Sequence, residues 1–452
     1  MRAGYFVVFL AALRAYGQFY QLTVTDDGEQ IYFVTYLGLK TEPQRLGGIY
    51  RIVGRRVEAF VQDPPSDPRS MLFSGYDHPQ VSSDGQVVVY TTTISCRGGS
   101  SCDLRGYPRY YSSVCTRGEC LGESLGGRAQ ISRNGRYVLH TGWWAEMPNP
   151  ATVFRHLRDL QTGEEVEVPV LPSNDRQALT SDGRVLGVDP QQSGALLLWS
   201  RQGLLKLPVA EAPERAVISD TGDWVIYETR ASLRSLELST GRDSLLARRG
   251  RLPFQMSISN DARLVLYLAQ PAPGQVEQIF LTRPDGTQTR QLAQFPEGVT
   301  EAVLAGSGRA VIAVTTSGRM VRLSVESGSV EELIARTPIY WLGSDALFSA
   351  GFNLIPGSIL PVRGEGMASS TRVAPYPLPL ELDGVRLLAD GEPLPLLSVS
   401  PKELWFQVPF ELRDPGRPVR FELENSSVFE GGFTSSLRVV RRWPYFFSPV
   451  AG

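Results

Sequence analysis

Histidine is scarce in this chain of 452 residues, with three in all, and cysteine occupies four positions. None of His78, His140 and His156 belongs to an H-E-x-x-H pair, so a zinc site of that helix-borne kind is excluded. A G-x-S-x-G nucleophile elbow is missing, as are an EF-hand loop and a glycine-rich phosphate cradle opening a helix. Neither charge sign dominates: 45 basic against 47 acidic residues leave a net charge of −2. Such a balance supplies no field to hold nucleic acid or an anionic membrane. No apolar run is long enough to span a bilayer, and no stretch keeps helical periodicity. What is present is β-rich sequence punctuated by 44 glycines and 32 prolines, with room for more than one core. No catalytic residue, cofactor or metal is assigned on this basis. Active sites assembled from distant loops leave no linear motif, so an enzyme is not excluded.

One short phrase recurs seven times: Val24-Thr-Asp-Asp-Gly28, Val81-Ser-Ser-Asp-Gly85, Ile131-Ser-Arg-Asn-Gly135, Leu179-Thr-Ser-Asp-Gly183, Ile218-Ser-Asp-Thr-Gly222, Ile258-Ser-Asn-Asp-Ala262 and Leu304-Ala-Gly-Ser-Gly308. A run of β-formers follows each copy. Asp-Gly between β-rich stretches signals a hairpin, and a two-residue turn with positive φ is expected at each. The copies lie roughly 40 to 57 residues apart, too long for one hairpin and suited to two. A second turn stands where the second hairpin needs it, at Gly54, Gly118, Gly163, Gly203, Gly241, Gly286 and Gly328. Four strands per repeat, seven times over, predict an all-β fold whose larger part is a seven-bladed β-propeller over residues 18–343. The strand near Phe19 to Val24, or the one near Ile339 to Leu342, is expected to close the ring. Asp26, Asp27, Asp84, Asp182, Asp220 and Asp261 recur with the motif and are read as turn residues.

These Ser-Asp-Gly phrases with apolar alternation, and strands ending in Thr-Gly, resemble the repeats of TolB-type periplasmic propellers and their WD40-like relatives. Beyond Gly343 the phrase stops, and prolines from Pro356 to Pro409 punctuate short β-rich stretches. That pattern predicts a small β-sandwich over 344–452, with hairpins at Asp383-Gly384 and Asp390-Gly391 and with one of the neighbours Trp405 and Phe406 facing its core. Phrases such as Ile355-Pro-Gly-Ser-Ile-Leu-Pro and Leu404-Trp-Phe-Gln-Val-Pro resemble an uncharacterised C-terminal domain of exported proteins from soil acidobacteria, related to immunoglobulin-like IPT/TIG modules. The resemblance implies an extracytoplasmic, non-catalytic module.

The first residues combine Arg2 with a short apolar run and the small residues Ala15 and Gly17. They read as a secretory signal peptide over 1–17, with a buried first strand as the alternative. A secreted or periplasmic address follows, with no membrane span in the mature chain. Cys96, Cys102, Cys115 and Cys120 are even in number and clustered, as disulfides of an exported chain would be. Two connectivities stay open: local (96 to 102, 115 to 120) and nested (96 to 120, 102 to 115).

Four connections in the first three repeats are longer than a meander requires: Tyr36 to Gly48, Asp63 to Pro79, Cys96 to Tyr110 and Gly142 to Val153. They carry Tyr36, Tyr76, Tyr107, Tyr110, Trp143 and Trp144, aromatic residues that either form a recognition surface or pack down onto the blade beneath. His140 stands where sister repeats have Tyr90 and Tyr227 and is read as packing. The expected role is exported, non-catalytic binding of a protein or glycan, with no nucleic acid partner. The alternatives are an extracellular hydrolase or lyase working through the channel, and a structural spacer in an envelope assembly.

Overall fold

The computed structural model describes residues 19–35, 38–39, 47–62, 72–96, 109–116, 119–125, 128–143, 153–172, 177–188, 195–248, 255–335, 339–342, 356–365, 367–368, 370–411, 419–424, 429–430 and 432–434. Among these the protein is all-β, with no helix. Contacts divide it into two units: Met1–Thr35, Leu46–Thr316 and Met320–Leu333 in the first, and Tyr36–Arg45, Ser317–Arg319 and Ile334–Gly452 in the second.

The first unit contains seven four-stranded sheets, each a meander taken from consecutive parts of the chain. The first sheet consists of Phe19–Val24, Gln30–Thr35, Gly48–Val53 and Arg56–Gln62; the second of Leu72–Val81, Val87–Cys96, Arg109–Thr116 and Glu119–Leu125. Five more follow in order, the last formed by Val299–Leu304, Ala310–Thr315, Met320–Ser324 and Val330–Ile334. Strands buried on both faces need apolar residues at successive positions, and the motif-following runs supply them. In the first sheet Tyr32 and Val34 pack toward the second sheet with Val81, Val88 and Tyr90. Ile31 and Phe33, on the opposite pleat, are equally buried. Similar apolar layers join each sheet to the next as far as the seventh.

The motif turn differs from the expected two-residue type. Thr25 N–H donates to Gln30 O at 3.1 Å and Gly28 N–H donates to Thr25 O at 3.1 Å, so four residues lie between the paired ends. Gly28 has φ +81 while Asp27 is not in the left-handed region. This is a type I turn with glycine at its fourth position, not a type I′ turn with two positive φ values. Side chains select it: the Thr25 hydroxyl donates to Asp27 Oδ1 at 2.5 Å and accepts from Gln30 N–H at 3.1 Å. The sixth copy keeps this geometry without glycine, at φ +55 for Ala262, with Ser259 Oγ donating to Asp261 Oδ1 at 2.7 Å.

In the second unit a five-stranded sheet runs in the spatial order Ile339–Leu342, Ile359–Glu365, Glu403–Gln407, Leu396–Val399, Arg372–Val373. A four-stranded sheet contains Glu392–Pro393, Arg386–Ala389, Arg420–Glu424 and Gly432–Thr434, and Gly38–Leu39 pairs with Phe429–Glu430. Val362, Leu387, Leu404 and Leu423 form one core with Phe406 and Phe421, whose rings lie 5.8 Å apart. Phe406 is buried and Trp405 half-buried, as strand alternation requires. Ile339–Leu342 belongs to this sheet and closes nothing in the first unit, because every sheet there is complete from its own strands. Contact grouping assigns Ile334–Gly452 to this unit together with Tyr36–Arg45 and Ser317–Arg319.

Candidate functional site

The first strands of six of the sheets, together with Gln177 and Leu179 ahead of the motif turn in the fourth repeat, contribute to the lining of one cavity of about 60 Å³, through Leu22, Gln80, Ile131, Ile218, Ser257 and Ala302 among others. Around it, glutamine side chains reach from one sheet to the backbone of another. His78 N–H donates to Gln21 Oε1 at 2.6 Å, Ile131 N–H to Gln80 Oε1 at 3.4 Å, Ala178 N–H to Gln130 Oε1 at 3.4 Å and Ala302 N–H to Gln255 Oε1 at 3.2 Å. Between the seventh sheet and the first the acceptor is a buried carboxylate: Glu301 takes Gln21 N–H and Leu22 N–H, each at 2.8 Å. Hydrogen bonds to a charged group are the stronger kind, about 1.5–3 kcal/mol each. Gln177 reaches from the fourth sheet to the sixth, donating to Ile258 O at 2.9 Å and accepting from Ile258 N–H at 3.3 Å. Gln21, His78 and Gln177 have φ of 56°, 51° and 51°. The first two lie at breaks in strand register, where a bulge redirects a side chain.

At the turn end, the third motif residue of the repeats faces a neighbouring sheet instead of capping its own turn. Asp26 N–H donates to Ser83 O at 3.0 Å, Ser83 N–H to Arg133 O at 2.6 Å, Asn260 N–H to Gly306 O at 2.9 Å and Ser307 N–H to Asp26 O at 3.1 Å. Asp220 accepts from Ser181 N–H at 2.8 Å and Ser181 Oγ at 2.9 Å. Asn260 Nδ2 donates to Asp26 Oδ2 at 2.6 Å. Reading all the motif aspartates as turn residues therefore holds for Asp27, Asp84, Asp182 and Asp261 but not for Asp26 and Asp220. Arg133 comes within 3.8 Å of Asp26 and donates to Val24 O at 3.4 Å. Burial pulls its guanidinium below its ordinary value, opposed by Asp26 and Asp220.

Of the sequence-nominated residues, Tyr36, Tyr107, Trp144 and Cys102 lie outside the described residues. Tyr110 is in strand Arg109–Thr116 opposite Thr93, and Trp143 ends strand Tyr137–Trp143 opposite Val153. Tyr76, expected in a loop, is in strand Leu72–Val81, half-buried, with its ring edge-on to Tyr90 at 5.6 Å. The second sheet has the longest strands, Leu72–Val81 and Val87–Cys96, which pair from the motif turn out to Leu72 and Cys96. Cys115 is buried and disulfide-bonded, and it lies directly opposite Cys120. His140 is buried, and desolvation lowers its pKa to about 4, so it is neutral near pH 7. His78 Nδ1 lies 2.8 Å from Asp77 Oδ1, and His156 Nδ1 lies 2.7 Å from Glu165 Oε1. Among the described residues no group of three His, Cys, Asp or Glu side chains could hold a metal ion.

The inter-sheet glutamines were missed by motif reading, although their signal is in the sequence. A Gln or Glu precedes the motif glycine, or Ala262, by five to seven residues in every repeat but the fifth.

No family model matches the sequence, and no curated protein matches it. Solved structures similar to the chain include TolB from Acinetobacter baumannii, 17% identical with a TM-score of 0.38, covering 58% of this chain and 62% of that one. Prolyl oligopeptidase B from Galerina marginata, bound to a 25mer macrocyclization substrate, is 14% identical with a TM-score of 0.47, covering 79% and 57%. The β-propeller domain of the Trilobed protease from Pyrococcus furiosus, described as having an open velcro topology, is 11% identical with a TM-score of 0.45, covering 71% and 99%. The chain spans less than two thirds of the length of the first two. At these scores the likenesses are to propeller proteins in general and carry no argument about activity.

Proposed function

We propose that the first unit is a closed seven-bladed β-propeller and the second an immunoglobulin-like, IPT/TIG-like sandwich, in an exported protein that binds a protein or glycan without catalysis. Export to the periplasm or beyond fits the apolar leader over 1–17 and the bonded Cys115, whose partner in this reading is Cys120, with Cys96 and Cys102 as the second local pair. Support for the ring comes from the Glu301 contact between last and first sheets and from the cavity that all seven repeats line.

One observation carries the binding role: the second sheet outreaches the others at the end away from the motif turns. Its second strand runs for 10 residues, against 4 in the fourth sheet and 5 in the fifth. At ~3.3 Å per residue the difference is on the order of 15 Å. A sheet extended this way carries Tyr110 near its end, while the third sheet carries Trp143 at the same end. The carboxylates beside the cavity do not suit hydrolysis, since Asp26 Oδ2 accepts from Asn260 and Asp220 accepts from Ser181 through both oxygens.

The test is a glycan array and a pull-down from secreted proteins, repeated with Trp143 and Trp144 both replaced by Ala. Loss of binding by tenfold or more at an unchanged melting temperature is expected, in the range of an aromatic hot spot. A double variant that binds as before, or wild-type protein that cleaves an extracellular polymer, overturns the reading.

A further inference from the structure

We infer that the cavity near the motif turns of the first unit is a binding site for a primary carboxamide, with Arg133 facing its carbonyl and Asn260 its N–H groups. Arg133 is the cation of this region, and its side chain is 14% exposed. A guanidinium offers five N–H groups. Arg133 uses one, at 3.4 Å, on Val24 O, and its 3.8 Å approach to Asp26 Oδ1 is beyond hydrogen-bonding distance. Beside it two buried acceptors lack a donor, Asn260 Oδ1 and Asp26 Oδ1. Folded proteins rarely leave such groups unpaired. Space is kept for these side chains by Gly306, where a Cβ would fall 1.9 Å from Asp26 Oδ1 and 2.6 Å from Asn260 Nδ2.

Unused donors and unused acceptors therefore lie together, with Arg133 and Asn260 both lining the cavity of about 60 Å³. Their complement is a group bearing both a carbonyl and two N–H groups, which is a carboxamide. A carboxylate would meet Asp26 and Asp220, and an ammonium would meet Arg133; the neutral amide avoids both repulsions. Leu22, Ile131, Ile218 and Met256 complete the lining with apolar surface suited to an aliphatic stem. Such an amide has two sources, a free small molecule or the tip of a glutamine or asparagine side chain. The site is at the opposite end of the sheets from the loops of the proposed binding face, so either can fail without the other.

The experiment titrates the full mature protein with acetamide, acetate and methylammonium by ligand-observed NMR, with an N- and C-terminally blocked glycyl-glutaminyl-glycine as the side-chain form. Acetamide is expected to bind saturably, and the two ions at least tenfold more weakly. Arg133→Met and Asn260→Leu should each weaken acetamide at least tenfold. If Arg133→Met fails to fold, Asn260→Leu and the ranking of probes on the unaltered protein still decide. Binding of the tripeptide as well assigns the site to a protein side chain, and binding of acetamide alone assigns it to a small amide. No saturable binding, equal binding of the three small probes, or indifference to Asn260→Leu would mean that ordered water fills the cavity, and would overturn the inference.

Discussion

The dipeptide Asp-Gly makes different turns in the two units. In the second unit Asp383 and Gly384 both have positive φ, 55° and 72°, and Leu382 and Val385 exchange backbone hydrogen bonds of 3.0 Å across them. Asp390 and Gly391 repeat this with 50° and 88° between the paired residues Ala389 and Glu392. These are the two-residue type I′ turns that Asp-Gly favours between strands. In the first unit a Ser or Thr two positions before the aspartate or asparagine converts the same signal into a wider turn in most of the repeats, by binding both the side chain and the returning strand. The wider turn also touches the neighbouring sheet. A Cβ on Gly135 would lie 3.1 Å from Val87 Cγ2 and 3.2 Å from Ser82 Cβ, while nothing lies within 4 Å of one on Gly384 or Gly391. One turn reverses the chain; the other also spaces two sheets.

Acid should separate the two units most strongly. All three histidines precede Ile334, and His140 is the one held at about 4 against an ordinary 6.5, chiefly by burial. Because folding lowers this pKa, its stabilising effect is complete above about pH 6.5, declines as pH falls, and levels off below about 4. The integrated loss is about 3 kcal/mol. Calorimetry between pH 7 and 4 should show the first unit's transition moving down, and His140→Tyr, the sister-repeat residue, should remove most of the movement. An unchanged acid dependence in that variant would assign the effect elsewhere.

Ser132→Ala comes next. It removes a buried hydroxyl that donates to Asn134 Oδ1 at 2.7 Å and accepts from Tyr137 N–H at 2.9 Å. A loss of about 2 kcal/mol in denaturant unfolding is expected. Indifference to the change would show that glycine alone sets the turn. Smaller still is the contrast between glycines: Gly135→Ala should cost about 2 kcal/mol and Gly384→Ala about 1, the excess coming from the neighbouring sheet. Equal costs would erase the distinction between a spacing turn and a free one. Last, Ala262→Gly should stabilise the protein by about 1 kcal/mol, because the present residue is held at φ +55. A destabilised variant would mean that the Ala262 methyl, packed near Ile258 and Val265, outweighs the backbone strain.

Repetition made much of this fold legible. Each motif copy falls between the first two strands of a sheet, and six of the seven turns carry a left-handed glycine where the phrase has one. The turn type was not legible from the dipeptide, because Thr25 and Ser132, two residues upstream, decide it. Nor was the division among aspartates: Asp26 and Asp27 are adjacent and alike in sequence, yet one bonds to a neighbouring sheet and the other to its own turn. Which neighbour lies opposite Asp26 depends on long-range packing that no local pattern records. For the candidate face, strand periodicity places Tyr76 and Tyr110 only after the ends of the long strands are known.

Each four-stranded sheet of the first unit takes its strands from a single motif repeat, although Tyr36–Arg45 within the first and Ser317–Arg319 within the seventh group with the second unit. In evolutionary terms, the module copied by duplication and the module that folds share the same boundaries. A single in-frame gain or loss of one repeat would then deliver or remove a whole sheet, and only the side-chain bridges to its neighbours would have to be remade.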